Sequence, residues 1–252
     1  MQDDIRLKTN NLLKTFKQGE EFVYAVNRVG ISIPTAKITV ITGPSGSGKS
    51  TLLSILAGLE HPSGGEVWLR MADTDPVLDK KLRVEMGVKH TEKCETVNLF
   101  ALTPDTLTAF RGRHFGFVYQ NYALIPVMTA LENILLPCIY GGMSYSREWL
   151  DTLTDRLGLG ARLHHLPSEM SGGEQQRVAM ARALIHRPDI MFADEPTGNL
   201  DSENARRIWE LLCLMRDEFR QTIILVTHDP SLAADADVCF HMQDGRICVP
   251  GE

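Results

Sequence analysis

Short apolar runs, rather than long ones, set the pattern of this chain. Ile38 to Ile41, Ile190 to Ala193 and Ile223 to Val226 are nearly continuous in apolar residues and each stops at a polar residue. Runs of that length, rich in isoleucine and valine, predict strands buried on both faces, as in parallel sheets. Between the last two, Ile208, Leu211, Leu212, Met215 and Phe219 recur at helical spacing. Strand, helix and strand then form a crossover, which makes its two strands parallel neighbours. The N-terminal part follows a different period. Phe22, Tyr24 and Val26, then Val29, Ile31 and Ile33, alternate, and Gly64-Gly65 turns the chain into Glu66 to Leu69. These predict half-buried antiparallel strands, an arm beside an α/β core.

No apolar run approaches the ~18 residues that span a bilayer, and the N-terminus lacks the basic and apolar regions of a signal peptide. No internal repeat or low-complexity linker breaks the 252 residues, so one domain is expected. The formal net charge of -6 disfavours a nucleic-acid partner. Five scattered cysteines without a CxxC pair argue for reduced, mostly packing thiols rather than a disulfide framework or zinc site. A cytosolic location follows from these features.

The first buried run leads into Gly43-Pro44-Ser45-Gly46-Ser47-Gly48-Lys49-Ser50-Thr51, and Leu52, Leu53 and Leu56 then start a helix. The stretch fits GxxxxGK[ST]. Glycines let backbone N–H groups converge on phosphate oxygens, the helix N-terminus adds a positive dipole, Lys49 reaches the terminal phosphates and Ser50 can ligate Mg²⁺. Asp194-Glu195 follows the second run, at the carboxyl end of a core strand, where α/β proteins bind ligands. Alone, the pair is as well read as a solvated turn or cap. Beside a phosphate loop, Asp194 suits Mg²⁺ and Glu195 suits orienting and deprotonating a water. The third run ends in Thr227-His228-Asp229, which sets His228 at a similar level for a hydrogen bond to a γ-phosphate or the water.

Met170-Ser171-Gly172-Gly173-Glu174 opens another helix. Ser171 and Glu174 form a capping box, and two glycines are expected to leave the helix N-terminus bare, a second anion site open to another subunit.

With these motifs in this order, the chain resembles the nucleotide-binding domains of ABC ATPases over nearly its whole length. That resemblance implies a P-loop NTPase, RecA-like α/β core, an antiparallel β arm (about 1–35 and 60–70) and a helical subdomain (about 121–184) carrying the Ser171–Glu174 signature. It further implies that Gln120, in Phe117-Val118-Tyr119-Gln120, senses Mg²⁺, that Phe16 stacks on adenine, and that Glu195 and His228 are the catalytic carboxylate and switch histidine. Gly198-Asn199-Leu200-Asp201 matches the loop that communicates between subunits. ATP and Mg²⁺ would bind between two copies, or a copy and a similar ATPase, docked on transmembrane permease subunits at the cytoplasmic membrane face. Glu195-Pro-Thr-Gly-Asn-Leu-Asp201 and Thr129-Ala-Leu-Glu-Asn-Ile134 most resemble the lipoprotein-release, macrolide-export and cell-division branch. Met170 and Phe16 depart from the usual leucine and tyrosine. The alternative is a regulatory or soluble ABC ATPase uncoupled from transport.

Two expectations concern partner surfaces. Asn121 to Leu136, with Tyr122, Leu124, Ile125 and Val127, is expected to form much of the groove for a membrane partner's cytoplasmic helix. About Met71 to Leu102 reads as an insertion in which Asp75 caps a short helix with Leu78, Leu82 and Met86 along one stripe, resting on the β arm.

Overall fold

The computed structural model describes residues 4–71, 89–91 and 94–248. Two sheets divide the chain. The first is built from β1 (Ile5–Gln18), β2 (Glu21–Val29), β3 (Ser32–Pro34), β5 (Gly64–Arg70), β6 (Lys89–Thr91) and β7 (Cys94–Asn98), with β2-β1-β5-β7-β6 in order and β3 on β1. All its pairings are antiparallel. This is the expected arm, with one correction. Val26 is fully buried, whereas Phe22 and Tyr24 stand 62% and 52% exposed. The outer half of the β1–β2 hairpin extends beyond the core, so alternation there does not mark a buried face.

The second sheet runs β12-β11-β4-β10-β9-β8. It contains β4 (Ile38–Thr42), β8 (Phe115–Val118), β9 (Ile190–Asp194), β10 (Thr222–Val226), β11 (Val238–Gln243) and β12 (Arg246–Cys248), parallel except for the β11–β12 hairpin. The three apolar runs are its central strands, and β9 and β10 are parallel neighbours. Helix α6 (Ser202–Phe219) makes the crossover between them, burying Ile208, Leu212 and Met215 while Leu211 and Phe219 are half-buried. Among the described residues the other α-helices are α1 (Lys49–Leu56), α2 (Pro104–His114), α3 (Ala130–Gly141), α4 (Arg147–Arg156), α5 (Gly172–Leu184) and α7 (Pro230–Ala234).

The segment read as an insertion is described only in part. Asp75 and the Leu78, Leu82 and Met86 stripe lie outside the described residues. Its later portion joins the arm: β7 pairs with β5 through Arg70 and Thr96, and Val97 and Leu99 enter the core. Cys138 is buried and Cys213 half-buried, but Cys239 and Cys248 are exposed, so packing does not account for those two thiols.

At the end of the sheet away from the phosphate loop, Asp189 binds Arg6 Nη1 at 3.1 Å and His114 Nδ1 at 2.7 Å, tying β1, α2 and the start of β9 together. Nearby His186 donates from Nε2 to the Phe115 carbonyl at 3.2 Å, while its Nδ1 is buried without a partner. Burial holds this imidazole neutral and pulls its pKa down to about 4. A histidine depressed below its unfolded value near 6.5 leaves stability intact above that pH and removes it as pH falls towards 4. Unfolding free energy should therefore drop by up to ~3 kcal/mol over that window, and His186→Gln should flatten the drop. Denaturant melts at several pH values would show it; an identical slope in the variant would rule His186 out as the cause.

Candidate functional site

Strand β4 delivers the phosphate loop from inside the core, with Ile38, Val40 and Ile41 fully buried. Gly43, Gly46 and Gly48 then take φ values of 148°, 79° and 99°, which side-chain-bearing residues rarely adopt. Space is the second reason for glycine at two of them. A Cβ at Gly43 would sit 2.0 Å from the Met242 carbonyl oxygen, and one at Gly48 would sit 1.9 Å from that of Ala25. Gly48 caps α1, so the loop ends on a helix N-terminus. Lys49 is 7% exposed and donates from Nζ to the Gly43 and Pro44 carbonyls at 2.9 and 2.8 Å. Its cation is thus held over the loop, with no carboxylate among the described residues paired to it. The Ser47 hydroxyl is buried beside it without a hydrogen-bond partner.

Adjacent strands carry the acidic and imidazole groups to the same place. Because β4, β10 and β9 are neighbours, their carboxyl ends converge. Ser50 Oγ donates to Asp194 Oδ1 at 3.1 Å. Burial raises the Asp194 pKa, opposed by the Ser50 bond. A serine hydroxyl and a carboxylate, both hard oxygens, with a desolvated charge that a divalent cation would offset, fit Mg²⁺. Glu195 adopts a left-handed backbone at φ 47°, and its N–H donates to Val226 O at 3.0 Å. Strain of this kind in a non-glycine residue costs about 1 kcal/mol or more and concentrates at functional sites. Its Oε2 is buried and lies 3.0 Å from His228 Nδ1, though not aligned for a hydrogen bond. The His228 side chain is 70% exposed, facing the cleft mouth.

Glu195 and His228 line one cavity of about 630 Å³, together with Phe16, Ser45, Gly46, Gly48, Lys49, Ser50 and Thr51; Gly43, Pro44, Ser47 and Asp194 do not line it, and Asp194 is joined to it through Ser50. Five further lining residues, Val23, Tyr24, Ala25, Asp244 and Gly245, are not among the predicted site residues. For the last two a signal exists, an Asp-Gly pair between alternating strands, which marks a two-residue hairpin turn.

The remaining candidates are elsewhere. Ser171 caps α5, its N–H and hydroxyl donating to Glu174 Oε2 at 2.8 and 2.9 Å. The Arg162 guanidinium, with the Ser171 N–H, brings the Glu174 pKa down to about 2. This helix start is not bare, as the sequence suggested. A Cβ at Gly172 would meet the Tyr122 hydroxyl at 2.8 Å, and one at Gly173 the Asn204 Oδ1 at 3.1 Å. The glycines let those neighbours approach. Gln120 Nε2 donates to Asn199 Oδ1 at 3.4 Å, and Asn199 Nδ2 donates to the Gln120 carbonyl at 2.8 Å. Asp201 caps α6 by accepting from Asn204 N at 2.8 Å, a bond that lowers its pKa. None of Ser171, Gly172, Gly173, Glu174, Gln120 and Asp201 lines the phosphate-loop cavity.

A separate cleft of about 690 Å³ opens between α2 and the end of α3. Its lining includes Arg113, Phe117, Tyr119, Pro137, Tyr140 and Arg182. From Asn121 to Leu136, expected to supply much of a partner groove, only Ala123 contributes. Tyr122 and Leu124 turn inward instead, and Val127, 81% exposed, lies outside the cleft.

Comparison with known proteins gives a consistent result. The family profile described as ABC transporter matches residues 26–198. The chain is 40% identical over 243 residues to an uncharacterised ABC transporter ATP-binding protein, YbbA, of Escherichia coli K12, covering 96% of each. It is 39% identical over 249 residues to the lipoprotein-releasing system ATP-binding protein LolD 2 of Chlorobaculum tepidum, covering 98% of this chain and 93% of that one. Among solved structures, the dimeric bacterial ABC transporter cassette MJ0796 superposes with a TM-score of 0.76 at 35% identity over 96% of both chains. The same cassette is known as a dimer in a post-hydrolysis state bound to ADP and phosphate, at 36% identity.

Proposed function

The chain belongs to the ABC transporter family, and from that premise we propose that it works as one of a face-to-face pair of ATP-hydrolysing subunits that drive separate transmembrane chains. One observation carries the reading. The phosphate-loop cavity is lined by the Lys49 cation, the Glu195 carboxylate and the exposed His228 imidazole, with Asp194 bonded to its Ser50, while the Ser171–Glu174 helix start lies on another element and does not line it. Each copy therefore has a phosphate cradle and, apart from it, a capped helix N-terminus suited to closing over a second copy's nucleotide.

Within the pair each residue has a chemical task. Backbone N–H groups of Gly43 to Ser50 would surround the phosphates, and Lys49 would exchange its loop carbonyls for phosphate oxygens. Phe16 offers a ring to the base. Ser50 and Asp194 would hold Mg²⁺; Gln120 would reach it only by exchanging Asn199. The bound ion supplies charge neutralisation on the phosphates. Glu195 Oε2, buried and without an aligned donor, would take the proton of the attacking water, and His228 beside it would hold the transferred phosphoryl oxygens.

Such a pair makes activity depend on protein concentration. Specific ATPase activity should rise as the isolated chain is concentrated through the dimer dissociation constant, by mass action. Constant activity per chain over about a 100-fold dilution series that spans that constant would contradict the paired site.

The α2–α3 cleft, lined by apolar and aromatic residues together with Arg111, Arg113 and Arg182, supports docking of a cytoplasmic helix of a transmembrane partner. Among the described residues no helix is long and apolar enough to cross a membrane, so a partner would supply the span. Likeness to LolD supports peripheral placement at the cytoplasmic membrane face and work of the lipoprotein-release type. Cysteines at Tyr140 or Arg113 should capture a transmembrane chain in intact membranes, with Arg220 on another surface as control. Equal capture at Arg220 would remove the assignment.

A further inference from the structure

The turn joining β11 to β12 engages the phosphate loop directly. Gln243 and Arg246 pair across it, and Asp244 and Gly245 take φ values of 49° and 76°, a tight two-residue hairpin turn. Central residues of such turns ordinarily face water. Here the Gly245 N–H donates to the Ser47 carbonyl at 3.0 Å, and the Gly245 carbonyl accepts from Asn27 N at 2.7 Å. One glycine thereby bridges the phosphate loop and β2.

The Ser47 carbonyl and the Gly48 N–H belong to one planar trans peptide and point in opposite directions. Fixing that carbonyl outward on Gly245 turns the Gly48 N–H inward, towards the hollow where a phosphate would sit. The fit around the bond is close on every side. A Cβ at Gly48 would strike the Ala25 carbonyl oxygen at 1.9 Å, and a Cβ at Gly245 would come within 2.6 Å of the Tyr24 carbonyl oxygen. Loop, β2 and turn thus meet backbone to backbone, with the Met242 Cε also 3.0 Å from a Cβ placed at Gly48.

We propose that the Asp244–Gly245 turn is a positioning element of the nucleotide site, which sets the Ser47–Gly48 peptide before ATP arrives. This rests on the phosphate-loop cavity being the ATP site, and it assigns the C-terminal hairpin a part in ATP affinity. The backbone of Gly245 does the work, through its N–H on Ser47 and its carbonyl on Asn27.

Equilibrium binding of Mg²⁺-ATP to purified variants tests this. Gly245→Ala should raise the dissociation constant about tenfold, as should Gly245→Asn, since asparagine tolerates positive φ but still carries the crowding Cβ. Gly158→Ala is the matched control, with φ 61° and nothing within 4 Å of the added Cβ. It should bind like the unmodified protein. Hydrogen exchange in the unmodified protein gives an independent reading: the peptide containing Gly245 should exchange more slowly once ATP is bound. Gly245 variants that bind as tightly as Gly158→Ala would overturn the proposal. So would exchange that slows in the phosphate loop and stays unchanged at Gly245. Failure of the unmodified protein to bind ATP would instead refute the nucleotide-site reading beneath it.

Discussion

Glu195→Gln should lower ATP turnover by about 100- to 1000-fold while leaving ATP binding within a few-fold of normal. Glutamine keeps the volume and the backbone demands of the position, which already sits at φ 47° with its N–H on Val226. What it loses is the basic oxygen that lies 3.0 Å from His228 Nδ1. Removing the proton acceptor and nothing else separates chemistry from binding, so kcat falls and nucleotide remains bound. Steady-state phosphate release and nucleotide titration on one preparation check both halves. Turnover within threefold of the unmodified protein would leave Glu195 without the role of general base.

Lys49→Ala should act on binding, raising the Mg²⁺-ATP dissociation constant by about 10- to 100-fold, the range for a lost charge-assisted contact of 1.5–3 kcal/mol. Among the described residues the buried ammonium bonds to two carbonyls, Gly43 and Pro44. Those contacts keep it extended over the loop without neutralising it, so a phosphate is a better partner than either. Calorimetric titration against Lys49→Arg would show whether charge alone suffices. Unimpaired binding by Lys49→Ala would mean that the ammonium never meets the triphosphate.

How far the sequence discloses the molecule depends on how local each feature is. The phosphate loop was legible because strand, glycines, lysine and helix lie in one stretch, and β9 and β10 because an amphipathic helix joins two apolar runs. Strand β8 was harder to see: Phe115-Gly116-Phe117-Val118 is short, and Gly116 is there because a Cβ would meet the Ala183 carbonyl oxygen at 2.1 Å, a contact across 67 positions. The exposed hairpin misled for a related reason. Phe22 and Tyr24 carry the alternation of a buried face, and only the length of β1 shows that they stand beyond the core. The signature glycines looked like absent side chains, yet Tyr122 and Asn204 occupy the space they leave. Gln120 paired with Asn199 is likewise a long-range fact, invisible to motif spacing.

The central claim is that two copies complete each ATP site, and the most direct measurement is the solution mass of Glu195→Gln by light scattering, with and without Mg²⁺-ATP. The variant should run as a single chain without nucleotide, as a stable pair with Mg²⁺-ATP, and as a single chain again with ADP. A protein that demonstrably binds ATP and keeps the mass of one chain throughout would contradict the account.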